Sequence, residues 1–548
     1  MKPREELTAG KLRGGFYTPA PLIRHCLARI RELVGDRDGL RLLEPSAGDG
    51  AFFRGLAAER ELAARFERAQ GIELLEDEAL EAQRALCLAG LEGSVEAGSA
   101  IAWAAATDDW FDAAVGNPPF VRYQFLPAAD KALLPELGRR LGVQFPGVGN
   151  VWIPVFLGSL ARLRPGGAFA FVVPAECFTG VSAGLVRDWL RRTTAELRFD
   201  LFPPGSFPSV LQEVTVVSGR VTRDPSPAAA VDIVEHAVGG SARRWGYPLR
   251  ERERTWTRHL LDPRHLSALS AALDSPAVGA LRDQARIEVS IVTGANDFFC
   301  VSDATAGAYD LWPWTKALLP RARHAGGLRY TPADQEQTRD SGARSWLLDF
   351  AGTSPDPRAH AGPGRYLEEG RARRLHERYK CRIREPWYRV PSVRGGTLLL
   401  SKRSHLYPRL VLNEARSLTT DTIYRGELQP WAAVAEADLV AAFHSSLTLL
   451  AAELEGRSFG GGVLELVPTE VGSLSVAAVP GFGRHLPELD RVARAGDPEE
   501  LVRRTDELLV RERVLPPELT VLLAEARRVL LARRLERSAG VSRDALAA

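Results

Sequence analysis

The sequence predicts an α/β fold, a parallel sheet wrapped by helices, followed by a mixed α+β domain and a final run of helices. Three observations predict it. From about Leu40 to Val217 short apolar runs alternate with amphipathic helical stretches, which is the texture of a parallel sheet. Several of those runs end in Pro, Gly, Glu or Asn, so polar side chains collect at the carboxyl ends of strands, where open α/β sheets bind ligands. Beyond the Pro- and Ala-rich stretch RDPSPAAA (Arg223 to Ala230) the segments shorten and grow rich in Arg, Trp, Tyr and Gly, and near the C-terminus leucine recurs at helical spacing among Arg and Glu. The expected domains are 1–235, 236–480 and 481–548, the last read as surface-facing amphipathic helices.

Taken in order, the first strand is LRLLEP, and LLEPSAGDGAFF (Leu42 to Phe53) places Glu44, Ser46, Gly48, Asp49 and Gly50 between that strand and a helix. Glycines there let the backbone turn tightly and approach a ligand, and a helix N-terminus favours negative charge. Alone, such a turn is equally a tight connection. The second strand ends in GIE, and Glu73 at its tip can accept hydrogen bonds from ribose hydroxyls, so a nucleoside-containing cofactor is favoured over a solvated carboxylate at a helix start.

The strand FDAAVG then leads into Asn117-Pro118-Pro119-Phe120. Two prolines stiffen the loop and lack N–H groups, leaving their carbonyls as acceptors. Asn-Pro-Pro is also ordinary turn sequence. Its chemical reading is specific: an exocyclic amine is a poor nucleophile because its lone pair is delocalised into the ring. The Asn117 side-chain oxygen and the Pro118 carbonyl can accept its two N–H groups while Phe120 stacks on the base.

These motifs, in this order, resemble the amino-methyltransferases of prokaryotic restriction-modification systems, in the arrangement of the TaqI-like adenine methylases. The resemblance implies a Rossmann-like class I S-adenosylmethionine-dependent methyltransferase domain with a target-recognition domain. Gly15-Phe16-Tyr17-Thr18-Pro19 resembles the N-terminal cofactor motif, which implies that Tyr17 and Thr18 help hold the methionine part of S-adenosyl-L-methionine. Glu44 to Gly50 resembles the main cofactor loop, Glu73 the ribose-binding acid, and Asn117 to Phe120 the catalytic loop. Arg164-Pro165-Gly166-Gly167 and AFAFVVP resemble the family's turn into a later strand. GSFPSVLQEVTVV (Gly205 to Val217) resembles the region that clamps a flipped base, which implies Phe207, with Phe202 as runner-up. The sequence departs from the pattern at GSAIAW, where Ser99 stands in place of the acid often found beside the cofactor's adenine.

IVTGAND (Ile291 to Asp297), RYKCRIREPWY (Arg378 to Tyr388), LVLNEARSLTTDTIY (Leu410 to Tyr424) and GRSFGGGVLELVPTE (Gly456 to Glu470) resemble target-recognition domains more loosely. Independently, Arg371 to Arg384 concentrates Arg and Lys against Glu377 alone, beside Trp387 and Tyr388. Arginine interleaved with aromatics can grip phosphates and reach bases, so Arg378, Lys380, Arg382, Trp387 and Tyr388 are the expected contacts to double-stranded DNA, although a charge run is also what a solvated face looks like.

Composition bounds the rest. A chain of 548 residues exceeds one ordinary core. With 71 basic against 69 acidic side chains, any nucleic-acid footprint is local. Five dispersed cysteines without Cys-x-x-Cys, and no His-Glu-x-x-His, signal neither a metal site nor a disulfide framework. No apolar run is long enough to span a bilayer, and a cytoplasmic setting is expected. The expected reaction is site-specific N6-adenine methylation of duplex DNA by base flipping, in restriction-modification or phage defence, without metal. A separate restriction endonuclease or other defence proteins are candidate partners, since no Pro-Asp…Glu-x-Lys nuclease pattern is found. The alternatives are an N4-cytosine methyltransferase, for which Ser-Pro-Pro would be more usual, an RNA or protein-glutamine methyltransferase, and a DNA-binding defence component that depends on partners.

Overall fold

The computed structural model describes residues 18–145, 149–179, 183–203, 214–223, 230–237, 240–249, 255–350, 355–391, 393–459 and 462–536. Tyr17 and Phe207 lie outside the described residues. The chain forms two compact units, Met1–Asp262 with the last residues of the chain, and Pro263–Leu535.

The first unit is built on a nine-stranded sheet in the order β3-β2-β1-β4-β5-β7-β6-β8-β9. Its strands are β1 (Leu40–Glu44), β2 (Phe66–Glu73), β3 (Glu92–Ala97), β4 (Phe111–Gly116), β5 (Leu163–Pro174), β6 (Thr194–Leu201), β7 (Val214–Val221), β8 (Ala230–His236) and β9 (Ala242–Pro248). β1 pairs parallel with β2 and β4, β4 with β5, and β6 with β8. β7 runs antiparallel between β5 and β6, so these two share a direction. The expected strands LRLLE, GIE, FDAAVG and GAFAFVVP are all present. β4 is buried along its whole length, as a strand covered on both faces by helices must be. Four helices matter below: α1 (Ala20–Val34), α2 (Ala51–Ala58), α3 (Glu76–Leu88) and α4 (Ala100–Ala106).

The division into units differs from the one expected at residue 235. After the RDPSPAAA stretch the chain returns to the same sheet: β8 pairs Arg198 with Asp232 and Leu201 with Glu235, and β9 closes the edge as a hairpin on β8. Loss of helix or strand period reports a connection, and it carries no information on whether the chain re-enters the sheet it has left.

The second unit contains a five-stranded mixed sheet whose central strand, Leu398–Ser401, pairs antiparallel with both Leu410–Asn413 and Ile423–Leu428. Three helices pack in the same unit: α5 (Ser446–Glu455), α6 (Pro498–Arg511) and α7 (Pro517–Glu536). The C-terminal helices are part of this body. Leu501, Leu508, Leu509, Leu523 and Leu530 are buried, and so are Arg527 and Arg534, which the sequence placed on a surface. Arg534 forms a bidentate pair with Glu453 of α5 (Nε to Oε2 2.8 Å, Nη2 to Oε1 2.6 Å) and donates to the His405 carbonyl at 2.6 Å and the Leu406 carbonyl at 2.9 Å. A guanidinium satisfied on that many sides is a core group, which counting charges along a helix face does not reveal. Among the described residues no single helix is long and apolar enough to cross a membrane.

Candidate active site

The candidate site forms where β1, β2 and β4 end. β1 delivers Glu44, and the chain turns through Pro45–Gly50 into α2. Gly48 (φ +53°) and Gly50 (φ +84°) take left-handed conformations that cost other residues free energy. At Gly50 an added Cβ would stand 2.7 Å from the Ala82 Cα of α3, whereas at Gly48 it would meet nothing within 4 Å. One glycine therefore lets the turn lie on α3, and the other leaves the space above the turn open.

Glu73 braces this turn. Its Oε2 accepts the Gly48 N–H at 2.8 Å and its Oε1 the Leu75 N–H at 3.1 Å. Each oxygen keeps a second lone pair for a further donor. Glu44 is 1% exposed, and its Oε2 is buried without a hydrogen-bond partner. Burial pushes its carboxyl well above the usual carboxylate range, with the neighbouring Asp49 and Glu73 pushing the same way against Arg54. Asp49 is ion-paired with Arg54 of α2, which also donates to the Asp49 carbonyl at 2.5 Å.

Three sequence motifs meet at Asn117. Its Nδ2 donates to Thr18 Oγ1 at 3.2 Å across 99 residues of chain, and its carbonyl accepts from Ser46 Oγ at 3.2 Å across 71. The Asn117 Oδ1 is buried and without a partner. Pro118 is buried, and the Pro119 carbonyl accepts the Val121 N–H at 3.0 Å, which fixes the loop beyond it. Phe120 is half-buried against the core of this unit. Phe202 at the end of β6 is likewise packed on that core, its ring stacked on His236.

Ser99 caps α4, its Oγ accepting the Ala102 N–H at 3.4 Å, so a helix donor already claims this side chain.

In the second unit the expected nucleic-acid contacts divide. Arg378, Lys380 and Arg382 are exposed, with Arg378 3.5 Å from Asp297, and Tyr379 and Ile383 beside them are exposed too. Trp387 and Tyr388 require correction. They are 8% and 5% exposed and pack with Phe298, Phe299, Tyr366 and Phe350 in a core cluster, so their rings are core groups and not an exposed surface beside the basic run. Arg384 turns inward to the carbonyls of Thr293 (2.7 Å) and Val292 (2.8 Å). A basic run beside aromatics reads alike whether its rings point outward or into a core.

Comparison with known proteins places these features. The family model described as "Type II methyltransferase M.Eco57I, C-terminal domain" matches residues 253–510. The structure of the type IIL restriction-modification enzyme MmeI in complex with DNA superposes with a TM-score of 0.54 at 14% identity, covering 96% of this chain and 77% of that one. The type IIG restriction endonuclease BpuSI gives a TM-score of 0.43 at 13% identity, covering 96% of this chain and 67% of that one. A putative class I S-adenosylmethionine-dependent methyltransferase from Listeria monocytogenes gives 0.33 at 14% identity, covering 40% of this chain and 65% of that one. No curated protein matches the chain by sequence. The first unit is a Rossmann-like α/β sheet, the chain shares its fold with MmeI, and residues 253–510 are similar to the C-terminal domain of a type II methyltransferase.

Proposed function

We propose that this protein is a site-specific DNA methyltransferase that transfers a methyl group from S-adenosyl-L-methionine to the N6 amine of an adenine rotated out of duplex DNA, in restriction-modification or another phage defence. The observation that carries the reading is Asn117 Oδ1, a buried acceptor without a partner on a loop tied to Thr18 and Ser46. A buried amide oxygen left unsatisfied costs free energy unless a donor arrives, and an amine N–H is such a donor.

The residues present fit the cofactor. Glu44 offers a buried oxygen without a partner to a cationic or hydroxyl donor, Gly48 leaves open space above the turn, and Glu73 keeps lone pairs for ribose hydroxyls. The bound cofactor supplies an electrophilic methyl on sulfonium. Asn117 Oδ1 and the Pro118 carbonyl accept the two N–H groups of the amine, which draws its lone pair out of conjugation toward that methyl, and Phe120 bears on the base. Extruding the base costs about a few kcal/mol and is required because N6 is buried in paired, stacked DNA. Arg378, Lys380 and Arg382 supply phosphate contacts, which position the duplex without reading it. Tyr17 and Phe207 keep the roles that the resemblance implies, and Ser99 contributes through the α4 cap. A separate endonuclease would be the partner.

The test is modification sequencing of methylation-free DNA incubated with S-adenosylmethionine and either the protein or Asn117→Ala. N6-methyladenine at one recurring sequence, reduced at least about 10²-fold in the variant, is the expected outcome. N4-methylcytosine would move the specificity to cytosine. DNA binding without any modification would move the reading to a partner-dependent defence component.

A further inference from the structure

Among the described residues one group of His, Cys, Asp and Glu side chains is close enough to share a metal ion: His25, Asp200 and His236, whose ligand atoms all lie within 4.8 Å of one another. None belongs to the methyltransferase motifs. His25 is on α1, two turns beyond Thr18. Asp200 is next to last in β6, and His236 ends β8. β6 and β8 are parallel neighbours, pairing Asp200 with Val234, so both strands bring their chemistry to the sheet edge where β4 delivers Asn117.

We infer that His25, Asp200 and His236 form a binding site for a first-row transition-metal dication, with zinc as the reference ion, which fastens α1 to β6 and β8. His236 Nε2 is 2.8 Å and His25 Nε2 3.3 Å from Asp200 Oδ1. The edge of a tetrahedron of ligands with metal bonds of about 2.0 Å is about 3.3 Å, so these atoms stand at donor spacing. Asp200 is 0% exposed, and its Oδ2 is buried without a hydrogen-bond partner, while His25 Nε2 reaches only Asp200 Oδ1, at 3.3 Å. Buried polar atoms are ordinarily satisfied, so an unpartnered carboxylate oxygen beside two imidazole nitrogens leaves a place for an electrophile.

The surroundings set the ion's identity. Arg198 Nη2 donates to Asp200 Oδ1 at 2.6 Å, so the cluster offers one carboxylate, already shared with a cation, and two imidazoles. Magnesium and calcium need several oxygen ligands and would be poorly held there. Zinc, cobalt and nickel accept neutral imidazole nitrogen, and three protein ligands leave a further position for water. The sequence gives no sign of this site, because its donors are separated by 175 and 36 residues and fit no spacing rule.

The experiment uses the full-length protein, stripped with a chelator, desalted, and titrated with Zn²⁺, Co²⁺ and Mg²⁺. The readouts are metal content after gel filtration and the visible absorption of bound Co²⁺. One equivalent of zinc or cobalt retained per chain, a cobalt spectrum typical of nitrogen and oxygen ligands, no retention of Mg²⁺, and at least about tenfold weaker binding in both His25→Ala and His236→Ala would establish the site. If His25→Ala does not fold, His236→Gln at the partly exposed end of β8 carries the test. Failure of the wild-type protein to retain zinc or cobalt, or equal retention by folded variants, would overturn it. Neither result depends on whether the protein methylates DNA.

Discussion

At Gly50 and Gly48 two left-handed glycines, one residue apart, make separable claims. Gly50→Ala combines an unfavourable φ with a Cβ 2.7 Å from the backbone of α3, where nothing flexible can yield. It should cost about 2–4 kcal/mol in chemical denaturation. Gly48→Ala meets open space and should cost only about 1 kcal/mol, while weakening S-adenosylmethionine binding in a calorimetric titration because its Cβ intrudes above the turn. Residues of this kind were legible in the sequence, since a strand-Gly-x-Gly-helix pattern states its backbone need locally. Trp387 was not legible, because whether a ring is a contact or a core group depends on Phe298, 89 residues away in the chain and 5.6 Å away in space.

The start of α5 sets two effects against each other at the scale of elements. Asp506 of α6 accepts the Ser446 N–H at 2.8 Å and the Ser446 hydroxyl at 2.6 Å, capping α5 from outside, and a helix N-terminus favours a negative cap. Burial nevertheless wins, and the Asp506 carboxyl is pushed up to about 6. Because the folded-state value lies above the unfolded one, the folded state holds the proton more tightly. The associated stability is complete below about pH 4 and is lost as the pH rises through 6, roughly 2–3 kcal/mol in all. Urea midpoints measured from pH 4 to pH 7 should fall for the wild-type protein relative to Asp506→Asn, whose midpoint lacks this component. Strand and helix periods made the parallel strands of the first unit readable. A cap supplied from another helix 60 residues on leaves no mark in a local window.

Over the whole molecule, the largest departure from sequence reasoning concerns the C-terminal helices. A leucine pattern diluted by arginine suggested surface-facing amphipathic helices, but those leucines are core, and Arg534 closes on Glu453 and backbone carbonyls. Ending the chain at residue 480 should therefore leave the second unit unfolded, seen as loss of its cooperative transition in calorimetry. Arg534→Ala alone should destabilise it by about 3–5 kcal/mol, because Glu453 is left buried and uncompensated. Replacing both Arg534 and Glu453 by leucine should recover part of that loss. The order of motifs along the chain was enough to read the first unit's architecture, whereas membership of a buried ion pair is settled only once the helices are in place.

Parallel strands also give the sheet two unlike rims. Asn117, Glu44, Glu73, Asp200 and His236 all stand at or just beyond the carboxyl ends of their strands, leaving the opposite rim without any of them. The turn between α1 and β1, where Gly35 and Gly39 face open space, belongs to that rim. It is the natural port for engineering: a fluorophore or affinity peptide inserted between Asp36 and Gly39 would stand at the rim opposite Asn117, Glu44, Glu73, Asp200 and His236.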